Sequence, residues 1–268
     1  MVDVVRIAIG IEYDGSRFHG WQTQPALETV QGALEHAVSE IAGEPVTVIA
    51  AGRTDAGVHA LEQVAHFDTN ASRPLQAWIR GVNRYLPPTA SVRWAVPVEP
   101  AFHARFSAIS RSYRYVLFNH PVRPALHSGR VGWYHRTLDI DRMSLAAQYL
   151  IGEHDFSSFR SSECQAKSPV KTLHEAVIRR CSDYLLFDFR AAGFLHHMVR
   201  NIVGSLLWVG YGKESPQWFA ALIAARDRTL AAPTFAPDGL YFIAAEYDER
   251  WRLPQAGRIM TPFDPVRL

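Results

Sequence analysis

The stretch Ala51-Gly52-Arg53-Thr54-Asp55-Ala56-Gly57-Val58-His59-Ala60 is the most informative part of the chain. It follows an apolar run at residues 46–50, which has the composition of a short buried strand. Two glycines flank a single carboxylate, and glycine permits backbone conformations and close approaches that a β-carbon forbids. A loop of this kind can present Asp55 to a ligand, while Arg53 supplies a cation suited to phosphate. Because glycine and aspartate are also common in ordinary turns, the stretch alone leaves a structural turn and a reactive loop both open.

The residues on either side of this loop predict a β-α-β-β-α-β unit. Apolar residues alternate at positions 7, 9, 11 and 13, as expected for a strand, and they recur at helical spacing from residue 30 to residue 41. The predicted strands are residues 7–13, 46–51, 64–68 and 92–98, and the predicted helices are 30–41 and 74–86. The pair Pro87-Pro88 ends the second helix.

The second half of the chain has nearly the same order of elements. Its predicted strands are residues 113–117, 173–181, 184–190 and 240–247, and its predicted helices are 140–150, 198–209 and 218–223. We therefore expect an α+β protein of two tandem β-α-β-β-α-β lobes with mixed or antiparallel sheets. The expected lobes are residues 1–105 and 106–268, with the crossover at 102–110. A cleft between two lobes is a common place for a functional site.

Composition narrows the class of protein. Hydrophobic residues make up 48% of the 268 residues and charged residues 20%, which is typical of a soluble globular chain. No uncharged apolar stretch approaches the roughly 18 residues of a membrane span, and the first residues do not resemble a signal peptide. Two cysteines are too few for a disulfide scaffold and lack zinc spacing. These features predict a cytoplasmic protein with no metal site.

The distribution of arginine indicates a nucleic-acid surface. The net charge is only +2, but 25 of the 28 basic residues are arginine, whose planar fork pairs with phosphate and stacks on bases. High-GC codon usage would also enrich arginine, so the distribution is more informative than the total. Residues 101–138 contain no acidic residue but hold six arginines interleaved with seven aromatic residues. We expect RNA to bind there, in a central cleft.

Eight short blocks, in order along the chain, resemble the tRNA pseudouridine synthase A family. They are Tyr13-Asp14-Gly15, Gly20-Trp21-Gln22, residues 52–60, Phe102-His103-Ala104-Arg105-Phe106-Ser107, Arg111-Ser112-Tyr113-Arg114-Tyr115, Gly152-Glu153-His154-Asp155-Phe156, residues 194–201 and Ala232-Pro233. The resemblance implies an isomerase that converts uridine to pseudouridine in the anticodon stem-loop of tRNA. It also implies a homodimer with tRNA lying across both subunits, and a reaction that needs no cofactor.

The resemblance implies roles for individual residues. Asp55 would be the catalytic carboxylate, acting either by attack on C1′ or by removal of a proton from C2′ to give a glycal. Arg200 would orient Asp55, and Tyr113 would stack on the target uracil and could accept a proton from it. The expected substrate contacts are Arg53, His59, Arg105, Arg111, Arg114 and Tyr113.

Two other classes of protein stay open at this level. A non-catalytic RNA-binding protein would account for the arginines, and a glycosylase that releases the base would account for the carboxylate. Glycoside hydrolases usually flank the bond with two carboxylates, whereas Glu44 and Glu62, the acidic residues nearest to Asp55 in the sequence, lie outside its loop. The nucleosides made from unmodified tRNA would separate the three classes.

Overall fold

A computed structural model describes residues 4–254, which contain ten strands and five α-helices. The strands are β1 (Val5–Tyr13), β2 (Ile49–Ala50), β3 (His59–Thr69), β4 (Ala90–Val98), β5 (Ala108–Asn119), β6 (Gly132–Tyr134), β7 (Gly152–Asp155), β8 (Val170–Cys181), β9 (Tyr184–Ala191) and β10 (Leu240–Tyr247). The α-helices are α1 (Val30–Ala42), α2 (Val82–Tyr85), α3 (Ile140–Gln148), α4 (Met198–Gly210) and α5 (Pro216–Ala225). The described residues form two compact units, residues 4–109 with 242–254, and residues 110–241.

The sheet of the first unit has the strand order β4-β1-β3-β10, with β2 paired to β3. β1 lies between two antiparallel neighbours, with Ile7 opposite Phe67 of β3 and Ile9 opposite Ala95 of β4. Consecutive residues of β1 are buried, so both faces of this strand are covered, whereas the alternation in the sequence predicts that only one face is buried. A β-carbon on Gly10 would lie 2.1 Å from Nε1 of Trp94, so only glycine fits beneath that indole.

Helix α1 is capped at both ends. The Thr29 hydroxyl accepts the amide hydrogen of Gly32, and Gly43 ends the helix with φ 76°. Val30, Leu34 and Val38 form the buried stripe of the helix.

The helix predicted at residues 74–86 is irregular. A π-helical turn at Ala77–Gly81 precedes the short α2. The ring of Trp78, which lies in this turn, packs 5.2 Å from that of Phe67. A β-carbon on Gly81 would lie 2.7 Å from Cδ1 of Ile41 in α1, so the turn and α1 are in close contact. The structure thus confirms a helix over most of the predicted range, with a π-helical turn in its middle.

The sheet of the second unit has the strand order β5-β9-β8-β7, and β6 pairs with β5 in parallel. β5 begins at Ala108, inside the segment predicted as a crossover, and β6 and β7 were not predicted. Helix α4 is buried over most of its length. A β-carbon on Gly204 of α4 would lie 2.6 Å from the Pro233 carbonyl oxygen, so the backbone after residue 231 runs directly over the helix.

The predicted α+β class with a mixed sheet is confirmed. One strand is placed differently from its position in the sequence: β10 follows the second lobe along the chain, but its residues from Phe242 onwards belong to the first unit. They do so because β10 hydrogen-bonds to β3 and the Tyr247 hydroxyl donates to the Ala104 carbonyl at 2.6 Å. No helix within residues 4–254 is long and apolar enough to cross a membrane.

Candidate active site

Asp55 lies in a loop of the first unit that joins β2 to β3. Its side chain is half-buried, between the buried Thr54 and the exposed Ala56. The Asp55 carbonyl accepts the Val58 amide hydrogen at 3.1 Å, which closes a turn, and Gly57 takes φ 80° within that turn. The loop therefore holds one carboxylate at a fixed bend, as its two glycines predict.

The segment that follows β1 packs against both ends of this turn. A β-carbon on Gly15 would lie 1.9 Å from the Val58 carbonyl oxygen, and one on Gly20 would lie 2.9 Å from that of Thr54. The Trp21 amide donates to the same Thr54 carbonyl at 2.9 Å. The blocks Tyr13-Asp14-Gly15 and Gly20-Trp21-Gln22 are thus the support of the Asp55 loop, a role that the sequence alone did not assign to them.

His59 lies beneath the loop. Its ring is 2% exposed, its Nδ1 accepts the Gly15 amide hydrogen at 3.0 Å, and Asp14 Oδ1 lies 3.2 Å from the same nitrogen. A nitrogen that accepts the Gly15 hydrogen has no proton to donate to Asp14, so any one tautomer of the ring makes only one of these two hydrogen bonds. These contacts give His59 a supporting position in the loop, whereas the sequence predicted that it touches substrate.

Tyr113 and Arg200 belong to the second unit. Tyr113 lies on β5 opposite Phe189, is half-buried, and has its ring 5.0 Å from that of Phe194 in an edge-to-face arrangement. Arg200 lies in the first turn of α4, half-buried, and its Nε donates to the Phe235 carbonyl at 2.8 Å. That hydrogen bond restricts the direction of the guanidinium.

The other arginines predicted to bind substrate differ in their surroundings. Arg53 and Arg105 are exposed, and Arg105 lies over the Phe106 ring at 5.7 Å. Arg111 donates to the Ala192 carbonyl at 3.0 Å. Arg114 forms a two-pronged ion pair with Asp188, at 2.6 and 3.2 Å. Because only 12% of its side chain is exposed, Arg114 is held within the sheet of the second unit and is a weaker candidate for phosphate than the other three.

Comparison with known proteins identifies the class of this chain. A sequence profile of tRNA pseudouridine synthase matches residues 9–107 and 146–248. These ranges include the Asp55 loop and Arg200, and the chain belongs to the tRNA pseudouridine synthase family, which makes it an isomerase.

Its relatives are more specific. The tRNA pseudouridine synthase A of Chromobacterium violaceum is 60% identical over 251 residues, covering 93% of this chain and 96% of that protein. The tRNA pseudouridine synthase A of Dechloromonas aromatica is 58% identical over 250 residues, covering 93% and 95%. A chain of the archaeal box H/ACA sRNP Nop10-Cbf5 complex aligns at 11% identity and a TM-score of 0.35, covering 86% of this chain and 61% of that one, a likeness too low to support an inference. The family resemblance inferred from the sequence is confirmed.

Proposed function

We propose that this chain converts uridine to pseudouridine in the anticodon stem-loop of tRNA, with Asp55 as the catalytic carboxylate. Membership of the family supports the isomerisation and the tRNA substrate. The observation that carries the role of Asp55 is its place in a loop braced on both sides, at Thr54 and at Val58. Preorganisation of this kind is what a catalytic group needs.

The reaction breaks the C1′–N1 bond, turns the base and joins C1′ to C5. In the last step C5 loses its proton and N1 gains one. Electrons balance within the nucleotide, so no oxidant or reductant is consumed. In one route the Asp55 carboxylate attacks C1′ and is released when C5 bonds to C1′. In the other route Asp55 removes the C2′ proton and later returns it. In both, the base leaves the stack before the reaction.

Tyr113 and Arg200 are proposed to complete the site. The half-buried Tyr113 ring would stack on the flipped uracil, and its hydroxyl could take the C5 proton. Arg200 would keep the Asp55 carboxylate ionised and oriented. A double variant tests this coupling. If the two residues act as a pair, Arg200→Lys should lower the rate in the wild type but should have almost no further effect in Asp55→Asn.

We propose that the protein acts in the cytoplasm as a homodimer and that its partner, tRNA, lies across both subunits. Arg53, Arg105 and Arg111 would contact the RNA phosphates, since arginine provides strong charge-assisted hydrogen bonds to them. His59 and Arg114 are proposed only in supporting positions, because of the contacts described above.

The decisive experiment is Asp55→Asn, which keeps the size of the side chain and removes its charge. Unmodified tRNA is incubated with the variant, digested, and its nucleosides are quantified. We expect native tRNA affinity and a loss of more than about 10³-fold in single-turnover rate. Asp183→Asn, at an exposed position in the turn between β8 and β9, is the control and should retain wild-type activity. Turnover of Asp55→Asn within tenfold of wild type would refute the catalytic role, and free uracil as the wild-type product would refute isomerisation.

A further inference from the structure

Thr54, the residue immediately before Asp55, is held from two directions. Its hydroxyl oxygen lies 2.8 Å from the hydroxyl oxygen of Tyr13, and its carbonyl accepts the Trp21 amide hydrogen at 2.9 Å. The residue is only 7% exposed, so its side chain lies in the interior of the first unit. Because the Thr54–Asp55 peptide is a rigid plane, these two contacts set the direction in which the Asp55 backbone leaves Thr54.

Tyr13 is as well fixed as its partner. It is the last residue of β1, is 2% exposed, and packs its ring edge-on to Phe18 at 6.5 Å and against Trp21 at 6.2 Å. Burial raises the pKa of its phenol to about 12, so the hydroxyl stays protonated and its hydrogen bond persists throughout the working pH range. A hydroxyl with this protonation and burial can orient a neighbour but does not exchange protons with substrate.

The beginning of the loop has a matching contact. The Gln63 side chain on β3 is fully buried, and its Nε2 donates to the Gly52 carbonyl at 2.7 Å. The segment on the N-terminal side of Asp55 is therefore hydrogen-bonded to buried side chains of both central strands. The Thr54 hydroxyl bonds to Tyr13 of β1, and the Gly52 carbonyl accepts from Gln63 of β3. Such contacts convert a glycine-flanked loop, which is flexible by composition, into a rigid support.

We propose that Tyr13 and Thr54 are positioning residues of the reaction, joined by a buried hydroxyl–hydroxyl hydrogen bond that places the Asp55 carboxylate against the ribose. This inference rests on the proposed function of Asp55. Neither residue touches substrate, since both are buried; they act through the backbone of the loop. A misplacement of a catalytic group by about 1 Å costs on the order of 100-fold in rate, so loss of this hydrogen bond should affect the chemical step.

The test uses Tyr13→Phe, Thr54→Val and the double variant in the full-length protein with unmodified tRNA. Each single change removes one hydroxyl and keeps the shape of the side chain. We expect the single-turnover rate at saturating tRNA to fall about 10- to 100-fold in each, with tRNA affinity within about threefold of wild type. The double variant should be no slower than the slower single variant, because both changes remove the same hydrogen bond. Thr54→Ser keeps the hydroxyl and should recover most of the rate.

Tyr241→Phe is the matched control. Tyr241 is a buried tyrosine of the second unit whose hydroxyl donates to the Arg130 carbonyl at 2.6 Å, so its loss should lower thermal stability without changing the rate. Rates of Tyr13→Phe and Thr54→Val within twofold of wild type would overturn the proposal, as would losses that multiply in the double variant. If one variant fails to fold, the other and Thr54→Ser decide. Asp55→Asn in the same assay separates the two hypotheses: if it is active, the proposed function fails, and if it is inactive while Tyr13→Phe is fully active, only the positioning role fails.

Discussion

A drop in pH from 7 to 5 should destabilise the protein through one buried histidine. His66 on β3 is 2% exposed, and its Nδ1 accepts the Ala104 amide hydrogen at 3.2 Å. Burial, with the nearby positive charge of Arg6 and the His103 ring, lowers the pKa of His66 to about 4. The native ring is therefore neutral in a range where the ring of an unfolded chain is already protonated.

The difference in proton binding between the folded and unfolded chains sets the direction and size of the change in stability. An unfolded histidine has a pKa of about 6.5, so between about pH 6.5 and pH 4 the unfolded chain binds more protons and stability falls as pH falls. At pH 5 the difference amounts to at most about 2 kcal/mol, and it reaches its limit of about 3 kcal/mol once the pH is below 4.

Urea unfolding of the wild type and of His66→Asn at pH 7 and pH 5 measures this effect. The asparagine oxygen can accept the Ala104 hydrogen but does not titrate. We expect the wild type to lose about 2 kcal/mol more than the variant between the two pH values, and NMR titration of the His66 ring to give a pKa near 4. Equal losses in the two proteins, or a ring that titrates near 6.5, would refute the reasoning.

Other predictions follow from the loop and from the RNA-binding residues. Gly15→Ala should displace the Asp55 loop, because its β-carbon would lie 1.9 Å from the Val58 carbonyl, and should lower single-turnover rate at least about 100-fold; normal activity with an unchanged melting temperature would contradict this. Tyr113→Leu should lose both affinity for the target loop and turnover, whereas Tyr113→Phe should lose mainly turnover. Near-wild-type behaviour of Tyr113→Leu would leave Tyr113 as a residue of its strand alone. Replacing Arg105 and Arg111 by alanine should flatten the salt dependence of tRNA binding, with the slope falling by roughly 0.7 to 0.9 for each phosphate that is no longer neutralised, and an unchanged slope would place both arginines away from the RNA.

Elements with strong periodic patterns were predictable from the sequence. β1, α1, the β8–β9 hairpin and α4 lie where alternation or helical spacing places them. β6 has three residues and β7 carries the polar sequence Gly152-Glu153-His154-Asp155, so neither has an apolar pattern to detect. Both are defined by pairing with a longer strand, β5 and β8 respectively. Local sequence does not encode such pairings.

Part of the candidate site was likewise predictable from the sequence, and part was not. The glycine-flanked Asp55 loop is evident in the sequence because its residues are contiguous. Its support was not predicted, since Tyr13 and Thr54 are 41 positions apart and their hydrogen bond exists only once β1 and β3 have paired. The neighbours of His59 and Arg114 were not predicted either: Asp14 lies beside His59, and Asp188 pairs with Arg114, both from distant positions in the chain, and contact of either residue with substrate stays a prediction.

The position of β10 has a consequence for synthesis on the ribosome. The unit that carries Asp55 receives one of its strands from residues 242–247, whereas its other strands are complete by residue 98. Until the last part of the chain emerges, one edge of β3 lacks its partner, and Phe102 lacks the rings of Tyr247 and Trp251 that pack against it at 5.4 Å. An unpaired strand edge invites association with other chains. A nascent chain released early would therefore be both inactive and prone to aggregate, and deletion of the residues after 241 should yield insoluble protein although every residue of the Asp55 loop is present.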